Sequence, residues 1–200
     1  MAAAASLFLK NGYDGTSMDD IATLAGVSKP TVYKHFSDKE RLFAAIALAT
    51  TEATLQLVRL ITETFERTED VEGSLQMLAQ RFLAELMQPD VVRLRRLIIA
   101  NAERFPEVGR TWYQQGFVRV LAALASAFES LAKRGLLRVD DPLMAANHFV
   151  GLLLWVPLNE VMFTGRRSRS RRELDRLGRA AVQAFLDGHR GQSGSLTPSG

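Results

Sequence analysis

AGVSKPTVYKHFSDKE, residues 25–40, packs a small residue, a glycine, a Ser-Lys-Pro step, an aromatic and a Lys-His pair into a short span. Ala22, Gly26 and Val32 stand at relative spacings 0, +4 and +10, as two helices crossing closely through a tight turn require. The small residue lets the backbones approach, the glycine takes the positive φ of the turn, and the branched side chain fills the gap. The motif is a helix-turn-helix. Ser28 is the N-cap of its second helix, and Pro30 falls in the first turn, where a missing N–H costs nothing. Val32 and Phe36, four apart, face inward with Ile21 and Leu24. Pro30 and Lys34 lie opposite, with Thr31 and Tyr33 on the flanks. Such a short, polar, basic face fits the major groove of DNA, with its first residues at base edges and flanking hydroxyls and amines on phosphates.

Outward from this motif, the chain of 200 residues is 47% hydrophobic and 24% charged, ordinary values for one large globular domain or two small ones. It has no cysteine, which excludes disulfides, thiolate metal sites and a cysteine nucleophile and fits a reducing cytoplasm. The opening MAAAASLFLKNGYDG lacks basic residues ahead of its apolar run and reads as a helix, not a leader. The longest apolar run, Phe149 to Leu158, contains Pro157 and falls well short of the ~20 residues that cross a bilayer, so no membrane partner is expected. The net charge of +3 carries little information, since the first 45 residues are formally neutral.

Proline and glycine punctuate a 3.6-residue apolar rhythm, and no stretch sustains period-two alternation, so the fold class is all-α. About nine helices are expected, at 2–11, 18–25, 29–35, 38–67, 72–88, 90–104, 107–134, 142–164 and 171–187. Ser17 with Asp20 forms an approximate capping box and Ser170 with Glu173 a proper one, while Asp141 caps a helix that Pro142 opens. Gly135, Gly165 and Gly188 are stops. The small, polar tail 191–200 is expected to be disordered.

Residues 7–43, LFLKNGYDGTSMDDIATLAGVSKPTVYKHFSDKERLF, resemble the tetracycline-repressor (TetR) family. The likeness lies in Gly-Tyr then Thr-Ser, Asp-Ile-Ala, Ala-Gly-Val-Ser, Thr-Val-Tyr-x-His-Phe, and Lys-Glu opening the fourth helix. It implies an all-α homodimer, with residues 1–45 as a three-helix DNA-binding domain and 46–190 as an effector-binding and dimerisation domain. Relative to the family pattern the chain starts at or just before the first helix, without a basic arm. The resemblance assigns Ser28, Lys29, Pro30, Thr31, Tyr33, Lys34 and His35 to DNA. Thr16 and Ser17 become backbone contacts at the second helix, and Lys39 a phosphate contact at the fourth. Glu-Arg-Phe-Pro-Glu and Asp-Asp-Pro in the second half resemble one recurrent C-terminal subtype.

The expected effector seat comprises Phe82, Leu86, Ile98, Asn101, Phe105, Trp112, Tyr113, Phe117, Phe149 and Trp155, with Gln114 and Gln115 as further polar residues on the same stretch, suited to a mostly apolar ligand. The expected dimer face is Phe149, Leu153, Val156, Leu174, Leu177, Ala181 and Phe185, an apolar stripe wider than one chain need cover. The aromatic residues serve equally as plain core. Tyr33 could be a half-buried core aromatic. His35, His148 and His189 lie far apart without acids at ligand spacing, so neither metal nor cofactor is expected. Asp19-Asp20 and Asp140-Asp141 sit at helix starts, where capping explains them; with no nucleophile, base and orienter together, the chain is not read as an enzyme. The arginine run 166–172 reads as a solvated loop or a contact with a partner's acids. The reading is a ligand-responsive repressor released from a palindromic operator, with an effector-independent structural DNA binder as the alternative.

Overall fold

The computed structural model describes residues 1–49, 51–165 and 169–189, with the side chains of Thr51 and Glu52 left aside. Among these residues the chain is helical and has no β-strand. The helices are α1 (Ala2–Asn11), α2 (Met18–Ala25), α3 (Lys29–His35), α4 (Lys39–Ala49), α5 (Thr51–Glu66), α6 (Val71–Leu86), α7 (Pro89–Ala100), α8 (Pro106–Tyr113), α9 (Arg119–Lys133), α10 (Pro142–Thr164) and α11 (Arg171–His189). The helix expected at 107–134 is interrupted: Gln114–Val118 forms a π-helical turn between α8 and α9. Arg166, Arg167 and the tail 191–200 lie outside the described residues.

Packing divides the chain into two compact units, Met1–Thr54 with Pro89–Phe117, and Leu55–Gln88 with Val118–Gly200. A cut at residue 45 does not follow this packing, because α7 and α8 cluster with the N-terminal helices. In the first unit Phe8, Tyr13, Phe43 and Phe105 meet ring to ring, with centroids 4.7–5.9 Å apart. Leu94, Leu97 and Ile98 of α7 complete that core. Arg95, on the same helix, is buried at 5% exposure.

The second unit is built around Phe65, Phe128, Phe149 and Phe185, whose rings meet edge-on or tilted at 5.1–6.1 Å. Gly178 of α11 lets that helix approach α6, since a Cβ there would sit 3.3 Å from Leu83 and 3.6 Å from Ala79. Arg134 donates to the carbonyls of Phe65 and Thr68, closing the end of α5. Pro157 is buried inside α10, which continues through it.

Expected stops at Gly135 and Gly165 take positive φ, whereas Gly188 lies inside α11, which runs on to His189. By length and composition alone the stretch 39–66 would suffice to cross a bilayer, a property that a search for uninterrupted apolar runs misses. Its buried residues include Leu42, Phe43 and Ile46 in the first unit and Leu57, Ile61 and Phe65 in the second.

Candidate DNA-reading site

Two caps fix the reading head. Ser17 Oγ accepts from the Asp20 N–H at 3.1 Å, and the Asp20 carboxylate accepts from the Ser17 N–H at 3.2 Å, a complete capping box at the start of α2. At its end Gly26 takes φ 66°, ψ 30°, the left-handed conformation the tight turn needs, and its N–H returns to Ala22 and Thr23 carbonyls. Ser28 then caps α3, accepting from the Thr31 N–H at 3.3 Å, and its hydroxyl lies 2.7 Å from that of Thr31.

The register follows from what is buried. Ile21, Ala22 and Val32 enter the core, so Pro30, Thr31, Tyr33, Lys34 and His35 are left exposed. Phe36 is only partly buried, and Leu24, expected to face inward, is 56% exposed. The turn at Gly26 follows two residues later, while Ile21, Ala22 and Val32 share one buried cluster. Tyr33 is exposed, not part of the core, with the Lys29 ammonium 6.0 Å from its ring centre.

Besides the capping residues, Lys29, Thr16 and Lys39, all assigned to DNA, are already engaged. Lys29 Nζ pairs with the Asp19 carboxylate at 2.8 Å, which raises the lysine pKa through that hydrogen bond and charge, both groups remaining exposed. Thr16 is 2% exposed and donates its hydroxyl to the Gly12 carbonyl at 2.8 Å, so its side chain holds the turn and is not presented to a phosphate. Lys39 Nζ donates to the carbonyls of Tyr13 and Thr16, each at 2.8 Å, and sits 4.4 Å from the Tyr13 ring centre. The resemblance gives this lysine to DNA; in the fold it fastens the start of α4 to the α1–α2 turn. Asp19, which no motif signalled, restrains the basic face.

The ten expected effector residues fall into both units. Phe82, Leu86, Phe149 and Trp155 belong to the second, and Ile98, Asn101, Phe105, Trp112, Tyr113 and Phe117 to the first. Phe82 and Phe149 are fully buried, Ile98 and Phe105 are spent in the core of the first unit, and Asn101 donates to the Leu97 carbonyl. Trp155 is 73% exposed. A cleft of about 350 Å³ in the first unit is lined by Phe8, Leu9, Ile46, Val91 and Leu94 among others, and none of the ten lines it. Of the expected dimer face, Phe149, Leu153, Leu174, Ala181 and Phe185 are buried within the protomer, Leu177 is half-buried and Val156 is exposed. The exposed apolar residues of α10 are Leu143, Met144, Leu152, Trp155, Val156 and Phe163. That helix is apolar on all sides, and its sequence does not say which side turns inward. Among the described residues no cluster of three or more His, Cys, Asp or Glu could hold a metal ion.

This geometry agrees with comparisons to known proteins. Residues 1–46 match the family described as bacterial regulatory proteins, tetR family, and residues 73–190 match the AefR-like transcriptional repressor C-terminal domain. A putative TetR-family regulator from Mesorhizobium loti MAFF303099 is 50% identical, with 94% of each chain covered and a TM-score of 0.89. The flavonoid-responsive regulator FrrA is 29% identical, covering 96% of this chain and 95% of its own, with a TM-score of 0.74. The transcriptional activator FasR of Mycolicibacterium smegmatis is 39% identical over 77 residues, 32% of this chain and 35% of that protein, so the match spans about a third of its length. With a capped helix-turn-helix at one end and the matching C-terminal half at the other, the chain belongs to the TetR family of DNA-binding transcriptional regulators.

Proposed function

We propose that this regulator is a homodimeric repressor that reads an inverted-repeat operator with one α3 per protomer and is released by a small, mostly apolar effector. The observation that carries the reading is the exposed face of α3, where Pro30, Thr31, Tyr33, Lys34 and His35 stand out from a helix anchored by Val32 and capped by Ser28. Short polar and basic side chains at the start of an exposed helix suit base edges and phosphates. Ser17 at the start of α2 and Lys29 at the start of α3 are exposed as well. The description of the C-terminal match as a repressor supports the sign of regulation, and the flavonoid responsiveness named for FrrA supports control by a small organic molecule. Of the expected effector residues we retain Trp112, Tyr113 and Phe117, which keep part of their surface. The exposed apolar residues of α10 supply a face for a second copy. The place of action is the cytoplasm, with the DNA.

The ligand would act by preferring a dimer whose reading helices no longer match adjacent grooves, commonly with ~1–3 kcal/mol of coupling, about 5- to 150-fold in operator affinity. Sites selected from random duplexes test the reading. Their half-site centres should lie one helical turn apart or a multiple, about 34–36 Å per turn. Moving one half-site by about half a turn should abolish binding, and equal binding to shifted sites would refute the two-fold geometry.

A further inference from the structure

Arg95 is a charged residue buried among apolar ones. It lies on α7 between Leu94 and Leu97, both buried, and its own exposure is 5%. The guanidinium carbon stands 5.5 Å from the Trp112 ring centre and 5.1 Å from that of Phe117, so the group is framed by two aromatic faces from α8 and the π-helical turn. Its Nε is fully buried without a hydrogen-bond partner, and among the described residues no carboxylate or carbonyl accepts from any of its nitrogens. Burial alone lowers its pKa to about 10, which leaves it charged at neutral pH. Three other arginines of the same unit have carboxylate partners: Arg93 pairs with Asp90, Arg104 with Asp14 and Arg110 with Glu107.

A buried cation without a counter-ion is costly, and rings satisfy only part of a guanidinium, whose in-plane N–H donors still need acceptors. We propose that Arg95 binds the acid group of the effector, and that the effector is therefore an organic carboxylate with an aromatic or otherwise apolar body. One buried guanidinium carries a single positive charge and balances a carboxylate better than a phosphate dianion, and two rings suit an apolar body. The half-buried Gln115 lies on the same π-helical turn as Phe117 and adds a polar side chain to that turn. This inference deepens the ligand-responsive reading and rests on it for its consequence at the operator, though not for the binding itself.

The test uses the full chain with Trp155→Phe, so that fluorescence reports on Trp112, titrated with 2-naphthoate, octanoate and their neutral amides. The acids should quench or shift Trp112 saturably and bind about tenfold or more tighter than the amides, the effect of a charge-assisted bond. Arg95→Gln should erase that difference, and Arg95→Lys should keep part of it. Arg95→Met, which removes a buried unpaired charge, should melt no lower than the parent. Acids binding no better than amides, acid binding unchanged in Arg95→Gln, no response to any probe, or a clear loss of thermal stability in Arg95→Met would each overturn the proposal, the last by making Arg95 a structural clamp. Operator affinity with and without 2-naphthoate separates the two readings. Arg95-dependent binding that leaves operator affinity unchanged keeps the anion site and defeats control through it.

Discussion

Lys29 and Lys39 are both lysines of the reading head, and the fold uses them in opposite ways. Lys29 is held by the exposed Asp19 carboxylate, with the Tyr33 ring centre 6.0 Å away, a pairing of the kind worth little against solvent and salt, so a phosphate can compete for it. Asp19→Asn removes the competitor and a negative charge from the DNA side. Operator affinity should rise about threefold or less, with a log-log salt dependence steeper by about 0.9, as one more cation reaches a phosphate. Titrations at several salt concentrations measure both, and an unchanged slope would mean that Lys29 does not reach DNA. Lys39 is bound to two carbonyls inside the head. Lys39→Met should therefore shift denaturant unfolding by about 2 kcal/mol, because two partly buried acceptors lose a charged donor. If the variant keeps full stability but loses affinity at every site alike, Lys39 is a phosphate contact after all.

At the scale of the element, the α2–α3 corner was the most legible part of the chain, because one φ value and two caps nearly determine it. Gly26 tests this directly. A Cβ at that position would meet nothing within 4 Å, so the cost of Gly26→Ala is conformational alone. It should be about 1–2 kcal/mol, the penalty of left-handed backbone for a residue with a side chain, read as a lower melting temperature with DNA binding retained below it. Two features gave no signal. Val-Val-Arg-Leu-Arg-Arg reads as an ordinary helix with solvated arginines, because nothing in its spacing marks Arg95 as the buried one. The π-helical turn at Gln114–Val118 breaks no rule of composition, since an inserted residue shifts the register without needing a proline. In α10 the sequence leaves the inner side open for a definite reason: where every side is apolar, periodicity cannot choose the inner one. Phe149 and Leu153 are buried within the protomer, and the exposed face runs through Trp155.

For the whole molecule, we propose that this exposed face of α10 sets assembly. Leu152, Trp155, Val156 and Phe163 are all exposed on one helix, an apolar patch of the kind that a second copy covers in the proposed dimer. Trp155→Glu should turn a dimer into a monomer at micromolar concentration, measured by light scattering, while the helical content stays unchanged. The same variant should lose operator affinity by orders of magnitude, because two half-sites are then no longer read by one particle. A Trp155→Glu protein that remains dimeric would move the interface elsewhere.

The packing of α7 and α8 with the N-terminal helices has a consequence for how such regulators can be recombined. A reading head defined by sequence profile ends near residue 46, but the hydrophobic cluster that holds it also contains Leu94, Leu97, Ile98 and Phe105. Transplanting residues 1–46 onto another regulator's sensor would leave Phe8, Tyr13 and Phe43 facing whatever that sensor offers in place of Phe105 and the α7 leucines. Such a chimera should be soluble and active only when the recipient brings matching residues, or when 89–117 travels too. Grafts made with and without that second segment, compared for soluble yield and operator binding, would measure how far specificity is inherited as a cassette. The unit of exchange in this protein is discontinuous, and shuffling at a single crossover would cut through its core.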